Sequence, residues 1–256
     1  MTPTILITGA KGQLGSDCVR TFAATRKVVA VGRKELDIAN PDAIASAMKA
    51  HRPEIVLNCA AFTQVDACES ERDTAFRING DAPGHLARAC VAHGAYLIHI
   101  STDYVFDGAR PVPTPYTEED PVAPVSVYGA SKRQGEQAVL ADARDAAIVR
   151  TSWVYGIQGQ NFLKAVLARA VSAPGTPLRI VNDQHGSPTW TVRLAEQLVA
   201  IADARPAGIL HATGEGHCTW FDFARAFFDE MGIAMVIEPC TTADFPRPAP
   251  RPANSL

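Results

Sequence analysis

Long hydrophobic runs are missing from this chain of 256 residues. No apolar run reaches the ~18 residues that a membrane-spanning helix needs, and glycines and Lys11 follow the first apolar segment at once. We therefore expect no membrane anchor and no secretory signal. The chain also lacks an excess of charge, because its net charge is -3 and 20% of its residues are charged. This balance argues against a nucleic-acid partner or a polybasic membrane contact.

Cysteine motifs are missing as well. None of the six cysteines stands in a C-x-x-C pair or in a metal-like grouping with histidines. Most fall within apolar patterns, so we expect buried free thiols, a reducing cytoplasm and no bound metal. What the chain does have is 47% hydrophobic residues, enough to bury a sizeable core in one large domain or in a large and a small one.

The N-terminus combines a strand, a glycine turn and a helix. Residues 4–8 form a short apolar run with β-branched side chains, which predicts a buried strand. It leads into Gly9, Gly12 and Gly15, spaced G-x-x-G-x-x-G, and then into a helical pattern. Such glycines permit a tight turn, close approach of the backbone to a pyrophosphate, and close packing of helix on strand. The order predicts a dinucleotide site; the alternative is a glycine-rich turn without a ligand.

Strands and helices alternate along the rest of the first half. Strands are predicted at 28–31, 54–58, 95–101 and 147–152, and helices at 41–51 and 73–93. This alternation predicts an α/β fold, a Rossmann-like doubly wound parallel sheet with helices on both faces. We expect residues 1–155 to form this dinucleotide-binding domain, whose last elements return at about 190–212. Residues 156–189 and 213–256 would then form a smaller α/β substrate-binding lobe.

Tyr128 and Lys132 stand four residues apart in the first turns of a predicted helix, so both side chains lie on one helix face. An ammonium beside a phenol favours the phenolate, which would lower the pKa of Tyr128 toward working pH. Tyr128 is then a candidate proton donor or acceptor for a carbonyl and an alcohol. The alternative is a packed ring beside a solvated amine.

These motifs together resemble a known family. The glycine turn, Asn58 to Ala61, the run STDYVFDG from Ser101 to Gly108, and Tyr128-x-x-x-Lys132 resemble the extended short-chain dehydrogenase/reductase superfamily. The STDYVFDG run and the run DQHGSPT at 183–189 are narrower, and resemble the dTDP-4-dehydrorhamnose reductase family. The resemblance implies a soluble enzyme that reduces the 4-keto group of a nucleotide sugar with NAD(P)H.

The resemblance also implies site residues. Tyr128 would donate a proton to the carbonyl oxygen, Lys132 would lower the phenol pKa and bond the nicotinamide ribose, and Thr102 would hold the same oxygen. Alone, Thr102 could instead cap the backbone at its strand end. The implied cofactor-binding residues are Gly9, Gly12, Gln13, Leu14, Gly15, Arg33, Asp37, Ile38, Ala60, Ala61, Thr63, Tyr128 and Lys132. The implied substrate residues are Val65, Thr102, Asp103, Phe106, Tyr128, Trp153 and Asn161.

Cofactor choice rests on the turn after the second strand. Arg33 and Lys34 stand there, where a carboxylate would favour NAD and a basic residue would accept a 2′-phosphate. We therefore expect NADPH, with NADH possible if the pair is only a solvated basic turn. Trp153 is equally well explained as core filler.

Three other functions remain open. A nucleotide-sugar dehydratase or epimerase could share the fold, but a dehydratase typically carries Thr-Asp-Glu and here Tyr104 takes the place of the Glu. A non-catalytic subunit, like the regulatory β subunit of methionine adenosyltransferase, is opposed by the retention of Thr102, Tyr128 and Lys132. A reductase of another 4-keto-6-deoxy nucleotide sugar is not excluded. Relatives bridged by a cation use glutamates that this chain lacks near Asp17 and Thr191, so we expect a monomer or weak homodimer.

Overall fold

A computed structural model describes residues 2–256. Its centre is a six-stranded sheet of β1 to β5 and β10, in the order β10-β5-β4-β3-β1-β2, with all neighbours parallel. The strands span Thr4–Thr8 (β1), Lys27–Val31 (β2), Ile55–Asn58 (β3), Tyr96–Thr102 (β4), Ala146–Thr151 (β5) and Gly208–His211 (β10). Strand order reverses between β1 and β3, the position where open α/β sheets bind ligands. The predicted fold class is confirmed.

Helices cover both faces of this sheet. On one face pack α1 (Gln13–Phe22) and α8 (Thr191–Ala204), and their apolar side chains meet Ile5, Ile7 and Leu57. The other face packs against α2 (Pro41–His51), α5 (Ala82–His93) and α6 (Val127–Asp142). Asn40 caps α2 with its side chain, as its place before Pro41 predicts. Buried apolar side chains on both faces of the strands explain their nearly continuous hydrophobic sequences.

The long helix predicted at 73–93 is wrong as a single α-helix. The chain forms α3 (Val65–Ser70), α4 (Arg72–Ala75), a π-helical segment (Phe76–Asp81) and then α5, which ends at Gly94 with φ 66°. Pro83 supplies the physical reason, because it has no N–H to bond the carbonyl of Asn79. The wider π-helical turn lies just before Pro83, where that α-helical hydrogen bond is lost.

The remaining elements follow β5 in the chain, and they stand before α8 or after β10. The set lies outside the six-stranded sheet. It contains two-residue strands and short pairs together with two helices: β6 (Val154–Tyr155), α7 (Phe162–Ser172), β7 (Leu178–Val181), β8 (His185–Gly186), β9 (Thr189–Trp190), β11 (Cys218–Thr219), α9 (Trp220–Glu230), β12 (Ile237–Cys240) and β13 (Asn254–Ser255). Their own apolar cluster includes Val166, Leu178 and Phe228. The proposed division of the chain into domains stays a prediction, although β10 does pair with β5 in the large sheet.

Two findings bear on the expectations from composition. No helix within residues 2–256 is both long and apolar enough to cross a membrane. The six cysteines are free thiols in this part of the chain, and four of them are buried.

Candidate active site

Tyr128 and Lys132 lie in the first turns of α6, beside the end of β4. Ser126 caps the helix by accepting a hydrogen bond from the backbone N–H of Gly129. Gly129 itself allows close approach, because a Cβ there would lie 2.1 Å from the carbonyl oxygen of Tyr104. The ring of Tyr104 meets that of Tyr128 edge-on, with centroids 5.7 Å apart. The start of α6 is thereby fixed against the turn that carries Thr102.

Burial, rather than Lys132, dominates the ionisation of Tyr128. Burial raises the pKa of Tyr128, and the influence of the Thr102 hydroxyl only partly lowers it. The expected lowering of the Tyr128 pKa by Lys132 is therefore wrong for the free protein. The reason is that the ammonium of Lys132 is engaged elsewhere: Nζ donates to the carbonyl oxygen of Ile100 at 2.6 Å.

Lys132 is not the solvated amine of the alternative interpretation. It is 1% exposed, and burial lowers its pKa to about 8, against the opposing influence of Glu136 and Cys59. Glu136 lies one turn further along α6 and forms a buried pair with Arg150 of β5. The sequence analysis did not predict this pair. The only indication in the sequence was that each of the two charged residues stands within an apolar pattern.

Thr102 caps the backbone at its strand end, as the alternative interpretation predicts, and its role toward a carbonyl oxygen stays a prediction. Its Oγ1 accepts from the backbone N–H of Tyr104 at 3.2 Å, which caps the 3-10 turn at Asp103–Val105. The same hydroxyl donates to Oδ1 of Asp103 at 2.9 Å, and it also acts on the phenol of Tyr128 by lowering its pKa. Asp103 is buried, which raises its pKa to about 6.

The glycine turn has the close contacts that its spacing predicts. Gly9 has φ 63°, and a Cβ there would lie 2.7 Å from the backbone nitrogen of Ala60. A Cβ on Gly15 would lie 2.2 Å from the carbonyl oxygen of Gly9, so α1 packs directly on the end of β1. Gly12 begins α1 as its N-cap and makes no side-chain cap, so the first N–H groups of this helix are a suitable partner for an anion.

The remaining cofactor candidates follow β1, β2 and β3 in the chain. Gln13 bridges to the later elements, since its Nε2 donates to the carbonyl of Val154 at 2.9 Å and its Oε1 accepts from Asn161 at 2.8 Å. Arg33 and Asp37 are exposed just after β2, whereas the side chains of Ile38 and Leu14 are buried in the two core faces. Ala60 and Ala61 are half-buried and Thr63 is exposed after β3.

The substrate candidates do not all line one cavity. Phe106 is buried against Tyr116 and lines, with Asp103, a cavity of about 470 Å³. Neither Tyr128 nor Trp153 lines that cavity. Trp153 has φ 43°, a strained conformation for a residue with a Cβ, and its ring stacks on Trp220 with centroids 3.4 Å apart. Asn161 caps α7, and Val65 begins α3.

A second cavity, of about 360 Å³, was not predicted. Four arginines line it together with Trp220, Tyr104 and a single carboxylate, Asp66. The arginines are Arg169, Arg179, Arg247 and Arg251. Asp66 accepts from Arg251 at 2.5 Å and from the backbone N–H of Ala249 at 3.2 Å, and Arg251 holds the pKa of Asp66 below its ordinary value. This excess of guanidinium groups suits a diphosphate.

The match to known proteins fits this geometry. The family described as RmlD substrate binding domain matches residues 3–256. The chain belongs to this family. It is 46% identical over 98% of its length to a dTDP-4-dehydrorhamnose reductase of Mycobacterium tuberculosis (strain ATCC 25618 / H37Rv), covering 83% of that protein. It is 45% identical, again over 98% of its length and 85% of the relative, to a probable dTDP-4,6-dihydroxy-2-methyloxan-3-one 4-ketoreductase of Streptomyces antibioticus.

A solved structure of the family is also similar. The dTDP-4-dehydrorhamnose reductase of Bacillus anthracis str. Ames, in complex with NADP, superposes with a TM-score of 0.96 at 37% identity, covering all of this chain and 90% of the other. Within residues 2–256 no group of three or more metal-ligating side chains comes together.

Two further groups in this RmlD-family site escaped the sequence analysis. Asn79, in the π-helical segment, donates to the carbonyl of Phe62 and to Oγ of Ser131, and accepts from the N–H of Phe62. Ser131 in turn donates to the carbonyl of Tyr128. These bonds tie the loop after β3 to the first turns of α6. The only signal in the sequence was a polar residue within a helical pattern, which predicts nothing by itself.

Proposed function

We propose that this protein reduces the 4-keto group of dTDP-4-dehydrorhamnose to dTDP-rhamnose, with NADPH as the reductant. The observation that carries the proposal is Tyr128 beside Thr102 at the end of β4, with Lys132 one turn away and the glycine turn at the end of β1. The two dTDP-4-dehydrorhamnose reductases named above, similar along nearly the whole chain, give the substrate class. In this reaction the protein acts as an oxidoreductase.

The chemistry needs a proton and a place for developing negative charge. Bound NADPH would supply the hydride to the sugar carbon. Tyr128, whose raised pKa keeps the phenol protonated at neutral pH, would donate its proton to the carbonyl oxygen. Thr102 would hold that oxygen beside the phenol, and Lys132 would favour the phenolate as it forms.

The nucleotide half of the substrate fits the arginine-lined cavity. A nucleoside diphosphate ester carries two negative charges, and Arg247 and Arg251 present two guanidinium groups from the proline-rich segment. Trp220 lines the same cavity and stacks on Trp153, which connects the diphosphate region to the end of β5. The sugar would then extend from this cavity toward Tyr128.

An oxidation assay tests the proposal. NADPH consumption is measured against a panel of 4-keto-6-deoxy nucleotide sugars, including the substrate class of the Streptomyces antibioticus relative. We expect the highest kcat/KM with dTDP-4-dehydrorhamnose, and Tyr128→Phe should reduce kcat by roughly 10²–10⁴ while leaving NADPH binding intact. Preference for a different nucleotide sugar would assign another substrate of the same family to this protein. Full activity of Tyr128→Phe would show that Tyr128 is not the proton donor.

We also propose a cytoplasmic monomer or weak homodimer without a metal requirement. Support comes from the free cysteines, which fit a reducing compartment, and from the sequence near Asp17 and Thr191, which offers no glutamate to bridge a cation. EDTA should leave both the activity and the mass in solution unchanged. Loss of either after chelation, restored by magnesium, would contradict this.

A further inference from the structure

A line of buried side chains crosses the carboxyl end of the sheet and ends at Lys132. Oγ1 of Thr8, on β1, donates to Oδ1 of Asn58 on β3 at 2.6 Å. Nδ2 of Asn58 lies 3.0 Å from Nδ1 of His99 on β4, and Nε2 of His99 lies 3.5 Å from Nζ of Lys132. All four residues are 1% exposed, so water does not compete for these contacts.

The direction of these bonds follows from one backbone group. The N–H of Ala60 can only donate, and it lies 3.2 Å from Asn58, so the atom it meets is the oxygen Oδ1. The amide nitrogen of Asn58 therefore faces His99 and donates to Nδ1. A neutral imidazole that accepts at Nδ1 carries its proton on Nε2. Burial, together with the charge of Lys132, lowers the pKa of His99 well below its ordinary value, which keeps the ring neutral.

His99 consequently points an N–H group at a lysine that also carries N–H groups. Their 3.5 Å separation is long for a hydrogen bond, as expected for two facing donors, and Lys132 instead donates to the carbonyl of Ile100 at 2.6 Å. This arrangement disfavours the ammonium form of Lys132. It favours the neutral amine, whose lone pair can accept a hydrogen bond from Nε2–H of His99.

Other groups around Lys132 act in the opposite direction. Glu136 on α6 and Cys59 at the end of β3 both favour the ammonium. Arg150 on β5 reduces the effect of Glu136 by pairing with it, and Tyr128 on the same helix is a neutral phenol. His99 is thus the group on β4 that opposes the charge of the lysine.

We propose that His99 is a positioning residue for Lys132. Asn58 holds His99 in the Nε2–H tautomer, and this N–H faces Nζ of Lys132, where it disfavours the ammonium form relative to the neutral amine. The effect on turnover rests on the proposed function, whereas the effect on the ionisation of Lys132 does not. A merely structural histidine would fill the same space without setting the pH at which the lysine changes charge.

The tautomer is tested first on the unaltered protein. Nitrogen-15 NMR distinguishes the two neutral tautomers and the imidazolium, and the chain has seven histidines, among which His99→Phe identifies the signal of His99. We expect the Nε2–H tautomer throughout the neutral pH range. An Nδ1–H tautomer or an imidazolium would overturn the proposal, and this result does not depend on any variant being active.

Asn58→Asp then reverses the bond at Nδ1. A carboxylate accepts there, so the imidazole moves its proton to Nδ1 and turns the Nε2 lone pair toward Lys132, which favours the ammonium. The midpoint of Lys132, followed by carbon-13 signals of labelled lysines and assigned with Lys132→Arg, should rise by on the order of one pH unit. The alkaline limb of the kcat/KM profile should move up with it.

The control places Asn58→Asp in a His99→Phe background. If His99 transmits the change, the further shift in that background is small. An equal shift in both backgrounds would show that the new carboxylate acts through space and would overturn the proposal. A protein whose lysine shifts as expected but which reduces no nucleotide sugar would refute the proposed function alone. If Asn58→Asp does not fold, the tautomer measurement decides.

Discussion

At the scale of single residues, loss of contact with water shifts the pKa values of Tyr128 and Lys132 in opposite directions. Burial raises the pKa of the phenol and lowers that of the amine to about 8. A protonated phenol is the form that a ketone reduction consumes, so the free protein holds its donor ready at neutral pH. A phenol with a raised pKa is also a weaker acid, so Thr102 and Lys132 must stabilise the phenolate as the proton leaves.

Arg33 is the residue on which cofactor preference depends. It is exposed just beyond β2, where a 2′-phosphate would lie if the dinucleotide follows the glycine turn. Arg33→Ala should weaken NADPH binding by roughly tenfold or more and NADH binding little, because only NADPH loses a charge-assisted hydrogen bond. Dissociation constants for both cofactors, with Lys34→Ala as the matched control, test this. Equal weakening of the two cofactors would make Arg33 a bystander.

At the scale of elements, α6 is held between two backbone segments. A Cβ on Gly129 would meet the carbonyl of Tyr104 at 2.1 Å, and one on Gly135 would meet the carbonyl of Asn79 at 2.2 Å. These two glycines let α6 approach the turn after β4 and the π-helical segment closely. Tyr128 and Lys132 are thereby placed by backbone contacts on both sides of the helix.

The sequence predicts the elements better than it predicts these contacts. Alternating strands and helices are local patterns, and β1, α2 and the Gly94 helix end follow from them. The π-helical segment, the bond from Lys132 to Ile100 and the arginine-lined cavity depend on residues far apart in the chain. No local pattern encodes such contacts, which is why the lowered Tyr128 pKa was expected and the cavity was not.

The glycine turn offers an element-scale prediction with an internal control. Gly15→Ala should lower the free energy of unfolding by about 1–3 kcal/mol, because its Cβ would overlap the carbonyl of Gly9 and force α1 from β1. Gly12→Ala meets that carbonyl at 3.1 Å, a milder overlap, so it should cost less stability than Gly15→Ala while weakening NADPH binding. Urea unfolding and cofactor titration separate the two effects. Equal loss of stability in both variants would contradict this account of α1 packing.

At the scale of the whole molecule, three of the contacts between residues 1–155 and the later part of the chain lie in the region of the proposed site. Gln13 bonds Asn161, Trp153 stacks on Trp220, and Asp66 pairs with Arg251. Each contact lies beside a part of the proposed site: the cofactor turn, the region between the cavities, and the diphosphate region. The site is therefore assembled only when distant parts of the chain come together, and substitutions at these contacts should affect binding before they affect chemistry.

Asp66 provides the sharpest test of that view. Its carboxylate is adverse to a bound diphosphate by charge alone, yet it holds Arg251 and the backbone of Ala249 in place. If placement outweighs repulsion, Asp66→Ala should raise KM for the nucleotide sugar roughly tenfold with a smaller change in kcat. Asp66→Asn keeps an acceptor for both bonds without the charge and should restore much of the affinity, while NADPH binding stays constant in both variants. Steady-state kinetics decide between the two effects, because a lower KM in Asp66→Ala would mean that the carboxylate mainly repels the substrate.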